Sequence, residues 1–150
     1  MSIGAQKIAH SNSGILNTRN QIDNGNLYSL TALWSEDRLA FDEGRLEMDT
    51  RLTALGDSFV FIYNPREFWE RLIGAIEEAR IEYTYHAVEY RNVNKVNGRW
   101  GIFSKPLEYS FQREIRVFLD SEGNEPISFQ LGCLGDIAQI FDIEEFFMKR

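Results

Sequence analysis

The chain has 150 residues and a formal net charge of −7, and 43 % of its residues are hydrophobic. This length fits a single globular domain, and the apolar content is too high for a disordered chain. One cysteine, Cys133, excludes an internal disulfide, and a single cysteine with two histidines argues against a Cys/His zinc site. No stretch approaches the roughly 20 apolar residues of a membrane span, and the N-terminal residues lack the apolar run of a signal peptide. We therefore expect a cytoplasmic protein without metal, cofactor or membrane.

The charge is unevenly distributed along the chain. Residues 1–35 sum to +1, residues 36–90 to −7, residues 91–116 to +4, and residues 117–150 to −5. Such segregation suggests an acidic patch for a basic partner and a small basic pocket or strip. The alternative is an acidic surface that serves only solubility. The six basic residues within residues 91–116 are too few for duplex nucleic acid to be the main ligand.

The predicted elements begin after an irregular lead-in over residues 1–26, which is rich in Asn, Ser and Gly. Apolar residues 27–34 predict a buried strand, and Ser35 is a suitable N-cap for a helix that follows. The apolar residues within 38–55 follow neither the helical nor the strand periodicity cleanly, and the segment is interpreted as mostly helical. Residues 58–63 are β-branched and aromatic, which predicts a strand buried on both faces.

The clearest predicted element is a helix over residues 65–80. Asn64 is a favoured N-cap, and Pro65 is tolerated at the first helical position. Apolar residues then recur every three or four positions, with charged residues on the opposite face. The members of this stripe are Phe68, Leu72, Ile76 and Ala79.

The sequence of the second half of the chain predicts short strands joined by turns. The expected elements are strands at 83–91, 100–103, 111–119, 127–131 and 137–141, and helical turns at 108–110 and 143–148, with tight turns at Asn97-Gly98 and at 120–124. Together these elements predict one α+β domain over residues 1–150. Its mostly antiparallel mixed sheet would pack on the helix at about 65–80.

One segment combines several specific polar side chains. Because alternate strand residues share a face, Gln112, Glu114 and Arg116 would point the same way from a strand over 111–119. Lys105 and Tyr109, on the turn before it, would fold over the same patch. The predicted ligand-binding or structural polar network consists of Lys105, Tyr109, Gln112, Glu114 and Arg116.

This network has two interpretations. In the first, its cations and Gln112 bind an anionic or nucleotide-like ligand, with Glu114 as an orienting group or base. In the second, Glu114 is a buried carboxylate that ties Arg116, Lys105 and the loop together, because unpaired buried charges are costly. No residue is assigned a catalytic role.

The pattern F-x-K-P-x-x-Y-x-x-Q-x-E-x-R, from Phe103 to Arg116, resembles that of a broad group of small bacterial and phage proteins. The resemblance extends over residues 56–141 and includes Gly56-Asp57, an N-P-R-E-F helix start, a V-E-Y strand and an I-x-F-x-L-G-x-L-x-D-I-A run. Some of these proteins are remotely similar to ADP-ribosyltransferase-like folds, which would put Glu114 and Arg116 beside a nicotinamide-dinucleotide cleft. The chain lacks a convincing catalytic glutamate at the expected end of such a site. Others lie in toxin–immunity or phage–host conflict loci.

A second candidate surface is an acidic cluster, the predicted contact for a basic protein partner: Asp42, Glu43, Glu47 and Asp49. We interpret the chain as an acidic inhibitor or immunity protein, a monomer or dimer, that neutralises a toxin nuclease or host defence factor. The alternative is a nucleotide-binding or ADP-ribosyltransferase-like enzyme that uses the segment from Lys105 to Arg116.

Overall fold

The computed structural model describes residues 25–94, 100–121 and 125–144. They form an α+β fold with antiparallel ladders, which confirms the predicted class. The strands in the described ranges are β1 Gly25–Thr31, β2 Ser58–Ile62, β3 Glu82–Ala87, β4 Glu89–Arg91, β5 Ser104–Pro106, β6 Glu114–Asp120 and β7 Ala138–Asp142. The α-helices there are α1 Ser35–Asp42 and α2 Pro65–Glu78, and two 3-10 helices cover Thr50–Leu55 and Leu107–Gln112.

The chain divides into two compact units, each built from segments that are distant in sequence. The helical unit contains described residues 50–82 and 126–144, and the motif unit contains residues 25–49 and the described part of 83–125. The expectation of a single domain over residues 1–150 stays a prediction.

In the motif unit, β6 is the central strand of a three-stranded sheet with the order β1-β6-β3. It runs antiparallel to β1, and Thr31 pairs with Glu114 at one end of the ladder. Val117 and Leu119 on β6 are buried. Strands β4 and β5 form a separate parallel pair, in which Tyr90 lies opposite Lys105. The polar motif therefore starts in this parallel pair and ends on the central strand.

In the helical unit, β2 and β7 form an antiparallel pair from Ser58↔Asp142 to Ile62↔Ala138. The helix α2 follows β2 and begins as predicted. Asn64 Oδ1 accepts a hydrogen bond from the Glu67 backbone N–H at 3.3 Å, and Pro65 occupies the first turn. The apolar stripe of α2 is buried at Phe68, Leu72 and Ile76.

Several strand predictions are wrong in detail. The described strands form three sheets rather than one, and α2 shares its unit with the β2–β7 pair. Residues 100–103 and 127–131 are irregular. The partner of β4 is instead β5, Ser104–Pro106, which runs parallel to it. The predicted strand at 83–91 is interrupted at Val88, and β6 begins three residues later than expected, at Glu114.

Other local differences concern caps and exposure. The N-cap of α1 is Trp34 rather than Ser35, since the Trp34 N–H donates to Asp37 Oδ2 at 2.6 Å. The predicted helical segment 38–55 is broken, because α1 ends at Asp42 and a 3-10 helix begins only at Thr50. β2 is not buried on both faces, since Val60 is 39 % exposed.

Two predicted segments lie partly outside the described residues. Residues 1–24 of the lead-in are outside them, whereas Gly25 and Asn26 belong to β1 rather than to an irregular segment. The turn at Asn97-Gly98 is also outside them, as are most of the turn at 120–124 and of the helical turn at 143–148.

Because α2 buries one face, a substitution that leaves a cavity there is expected to lower the free energy of unfolding. Ile76 is 1 % exposed, so Ile76→Ala is expected to lower the free energy of unfolding by about 2–5 kcal/mol. Gly74 lies in the same helix and has open space where a Cβ atom would lie, so Gly74→Ala is expected to raise stability by about 0.5–1 kcal/mol. Urea denaturation measures both. An Ile76→Ala loss as small as that of a surface change would contradict the packing described for α2.

Candidate functional site

The Glu114 carboxylate is the centre of the polar network in the motif unit. Its side chain is 10 % exposed, and each of its oxygens accepts a charge-assisted hydrogen bond. Lys105 Nζ donates to Oε1 at 2.5 Å, and Arg116 Nε donates to Oε2 at 2.7 Å. One carboxylate is therefore held between two cations, and the cluster keeps a net positive charge.

Lys105 reaches the carboxylate from β5 and has further partners. Its ammonium group also donates to Gln112 Oε1, and it lies 5.4 Å from the centroid of the Tyr109 ring. An ammonium at this distance from an aromatic face gains a cation–π attraction. Gln112, which is buried, belongs to the 3-10 helix rather than to β6. Lys105 thus joins β5, this 3-10 helix and the central strand.

Arg116 and Glu114 lie two residues apart on β6, as the predicted strand alternation requires. The Arg116 side chain is 11 % exposed, and its Nη1 donates to the backbone carbonyl of Ile102. This bond ties the irregular segment before β5 to the sheet. The structure therefore brings together all five predicted residues of the network.

The backbone around Glu114 is held by partners that the sequence did not indicate. The Glu114 N–H donates to the Tyr90 hydroxyl at 2.8 Å, and the Glu114 carbonyl accepts from the Val88 N–H at 2.9 Å. Partial burial raises the pKa of Tyr90, so its hydroxyl stays protonated at neutral pH. A tyrosine in a strand gives no local signal for such a contact.

Arg113 forms a second link between distant parts of this unit. Its backbone is left-handed, with φ 48° and ψ 47°, and this turn ends the 3-10 helix before β6 begins. Its guanidinium makes a bidentate pair with Asp37 of α1, at 3.1 Å for Nη1–Oδ1 and 2.5 Å for Nη2–Oδ2. The Arg113 hydrogen bond lowers the pKa of Asp37. Because the two residues are 76 positions apart, no sequence spacing predicts this pair.

The predicted acidic cluster follows the end of α1. Asp42 is the last residue of the helix and Glu43 is its C-cap, and both are exposed. Glu43 also bonds to Arg45. Glu47 is exposed, and Asp49 is partly buried. Negative charge at a helix C-terminus is unfavourable, because the macrodipole is negative there, so helix stability does not explain this arrangement.

The outward side of α1 adds an apolar side chain to the acidic cluster. Asp37, Ala40 and Phe41 are partly buried and define the inner side of the helix, whereas Leu39 is 59 % exposed. Glu36 and Asp42 precede and follow Leu39 by three residues, so they share its side of the helix. We call Glu36, Leu39, Asp42 and Glu43 the acidic face of α1. Arg38 also lies on this side of the helix and is exposed.

The helical unit contains an ion-pair cluster of its own. Arg71 donates to Asp136 at 2.7 Å and to Glu67, one helical turn earlier, at 2.8 Å. It also donates to the Cys133 carbonyl at 2.5 Å. The Glu67–Arg71 spacing of four residues is visible in the sequence, whereas the Asp136 partner is not. These bonds anchor the loop before β7 to α2.

The described residues contain no group of three or more His, Cys, Asp or Glu side chains with the geometry of a metal site. In the same part of the chain, no helix has the length and apolar character needed to cross a membrane.

Comparison of this chain with protein families, curated proteins and solved structures gave no match. The similarity of the segment from Phe103 to Arg116 to small bacterial and phage proteins therefore stays a prediction.

The Glu114 network predicts a specific stability difference. Glu114→Gln leaves Lys105 and Arg116 without their shared carboxylate and is expected to lower the free energy of unfolding by about 3 kcal/mol. Glu70→Gln removes the exposed pair with Arg66 and is expected to cost at most about 0.5 kcal/mol. Chemical denaturation of both variants tests the comparison. Equal losses would show that the network has no special role in the fold.

The Asp37–Arg113 pair predicts an acid-dependent loss of stability. Because Arg113 lowers the pKa of folded Asp37, the pair stabilises the protein above the unfolded carboxyl pKa of about 4. This contribution is lost as the pH falls through the lower, folded pKa. Urea midpoints between about pH 7 and pH 2 should therefore fall less steeply for Asp37→Asn than for the parent chain. The double variant Asp37→Asn/Arg113→Gln should lose little more than either single variant, and additive losses would contradict the pairing.

Proposed function

We propose that this protein binds a basic protein partner through the acidic face of α1 and the acidic residues that follow it, as an inhibitor or immunity protein. The partner would be a toxin nuclease or a host defence factor, in a toxin–immunity or phage setting. The observation that carries the proposal is Leu39, exposed between acidic side chains on a helix with no buried residue. An apolar anchor within a charged rim is the usual organisation of a protein interface.

The charge distribution supports a basic partner. Residues 34–49 contain six acidic side chains and two arginines. Within this segment and its contacts, Asp37 pairs with Arg113 and Glu43 pairs with Arg45. A cationic partner would relieve the unfavourable position of Asp42 and Glu43 at the helix C-terminus. Complementary charge also speeds association and makes it dependent on salt.

The proposal includes a cytoplasmic location. The single cysteine supports this location, because one cysteine cannot form an internal disulfide and cytosolic proteins rarely contain disulfides. The proposed activity needs no cofactor, since inhibition by coverage is a binding event.

Charge reversal on the proposed partner surface should weaken binding without a matching loss of stability. Asp42→Lys/Glu43→Lys should slow association with a basic toxin nuclease domain by about tenfold at low salt. Its stability should change little, because the favourable macrodipole for cations at this end of α1 offsets the loss of the exposed Glu43–Arg45 pair. Surface-plasmon kinetics at about 50 and 200 mM salt measure the rates, and residual nuclease activity measures inhibition.

The matched control is Glu70→Lys/Glu78→Lys, which changes the net charge equally at two exposed positions of α2. It should slow association much less, and Leu39→Asp should speed dissociation. If the two double variants behave alike, the acidic face of α1 is not the contact. If no basic nuclease domain in the panel is bound or inhibited, the proposal as a nuclease inhibitor fails.

The nucleotide-binding alternative is tested in the same preparation. NAD at about 100 times its dissociation constant would stabilise the fold by roughly 2.7 kcal/mol. The partners of Lys105 and Arg116 within the chain weigh against this alternative, because a ligand would have to replace or share them. A thermal shift with NAD that is lost in Arg116→Ala would favour it over the inhibitor proposal.

A further inference from the structure

The helix α1 has little local stability of its own. It is eight residues long, and isolated helices of this length are marginal in water. None of its residues is buried, and its last turn contains no basic side chain to balance Asp42 and the C-cap Glu43. Its inner side, which consists of Asp37, Ala40 and Phe41, is partly buried. The position of α1 therefore depends on the contacts that this inner side makes.

Asp37 contributes a bidentate ion pair to the inner side of α1. Its carboxylate accepts hydrogen bonds from Arg113 Nη1 and Nη2 at 3.1 and 2.5 Å, and its side chain is 19 % exposed. Bidentate charge-assisted pairs combine charge with a defined geometry, so they fix orientation as well as distance. Asp37 Oδ2 also accepts from the Trp34 N–H at 2.6 Å. One carboxylate thus caps the helix and ties it to Arg113.

Arg113 also holds the connection that leads from β1 into α1. Its backbone carbonyl accepts from the Ala32 N–H at 2.8 Å, one residue beyond the pairing of Thr31 with Glu114 that ends the β1–β6 ladder. Residues 32–34 therefore run from a bond with the Arg113 backbone to a helix whose Asp37 bonds to the Arg113 side chain. One residue determines both where α1 starts and how its first turn is directed.

The polar network in turn holds Arg113. The residue lies in a left-handed conformation, with φ 48°, between Gln112 and Glu114. The side chains of both neighbours accept hydrogen bonds from Lys105 Nζ, whereas the Arg113 side chain reaches α1. The guanidinium thus extends towards α1 from a backbone position that the Glu114 network fixes.

We propose that Arg113 is the positioning residue for α1: its pair with Asp37 holds the acidic face of α1 in the orientation that binds a basic partner. Loss of the pair would let α1 open locally while β1 and β6 stay paired, because local opening occurs where little apolar surface is buried. The effect on partner binding rests on the proposed function, whereas the effect on the order of α1 does not.

Amide hydrogen exchange of the full chain, measured by mass spectrometry, tests the effect on α1 without any partner. Arg113→Gln should accelerate exchange in α1 about tenfold, while β1 and β6 stay protected over the same labelling times because their exchange needs a larger opening. Asp37→Asn breaks the pair from the other side, keeps an oxygen for the Trp34 N–H, and should have the same effect. The matched control Arg45→Gln breaks only the exposed Glu43–Arg45 pair and should leave exchange in α1 unchanged.

Two results of the exchange measurement would overturn the inference. The first is exchange in α1 that stays at the parent rate in both Arg113→Gln and Asp37→Asn. The second is loss of protection in β6 at the same labelling times as in α1, which would show that the pair supports the whole motif unit rather than the orientation of one helix.

The effect on binding is measured with a basic nuclease domain that the parent chain binds. Arg113→Gln makes the chain more negative, so charge alone would strengthen binding to a basic partner. Loss of positioning predicts the opposite result, a dissociation constant about fivefold larger, because only part of the molecules would present α1 in the binding orientation. Arg45→Gln makes the same change in net charge and should bind no more weakly than the parent chain.

The two measurements separate this inference from the proposed function. If Arg113→Gln binds as tightly as Arg45→Gln, the positioning role is refuted while the proposed function stands. If no basic nuclease domain binds the parent chain, the proposed function fails, and the exchange comparison alone decides whether Arg113 positions α1.

Discussion

The motif unit depends on one requirement, which is the neutralisation of the nearly buried Glu114 carboxylate on the central strand β6. A carboxylate in this position is stable only with cations and hydrogen-bond donors around it. Lys105 supplies one cation from β5, and Arg116 supplies another from β6 itself. Lys105 lies on β5 and also donates a hydrogen bond to the buried Gln112. Arg116 donates a hydrogen bond to the backbone carbonyl of Ile102. One carboxylate therefore links β5, the 3-10 helix and the irregular segment at Ile102 to the central strand.

The same network changes how the uneven distribution of charge along the chain is interpreted. The basic segment at residues 91–116 suggests an anion-binding strip when it is considered alone. In the fold, its Lys105 and Arg116 bond to Glu114, and its Arg113 bonds to Asp37. These cations stabilise the fold, which favours the structural interpretation of the motif. The acidic face of α1 has the opposite character, since two of its acids lie at the helix end that disfavours them.

The candidate site was predictable where contacts follow strand or helix periodicity. The two-residue spacing of Glu114 and Arg116 predicted a shared face, and their side chains do meet. The same argument failed for Gln112, because the left-handed backbone at Arg113 ends a 3-10 helix before the strand begins. Tyr90 and Asp37 could not be found in this way. Their contacts join segments that are 24 and 76 residues apart, and no periodicity extends over such distances.

Local sequence signals were enough to establish the α+β class, the start of α2 at Asn64-Pro65 and its buried stripe, because caps and helical periodicity act within a few residues. They were also enough to establish the acidic excess around α1. The choice of strand partners became visible only in the folded chain: β4 pairs with β5 in parallel, β6 lies between β1 and β3, and the strands of the described ranges form three sheets. Strand partners are selected by backbone hydrogen bonds and side-chain burial between distant segments. The local alternation of residues describes each strand's faces, but it carries no information about which strand lies beside it.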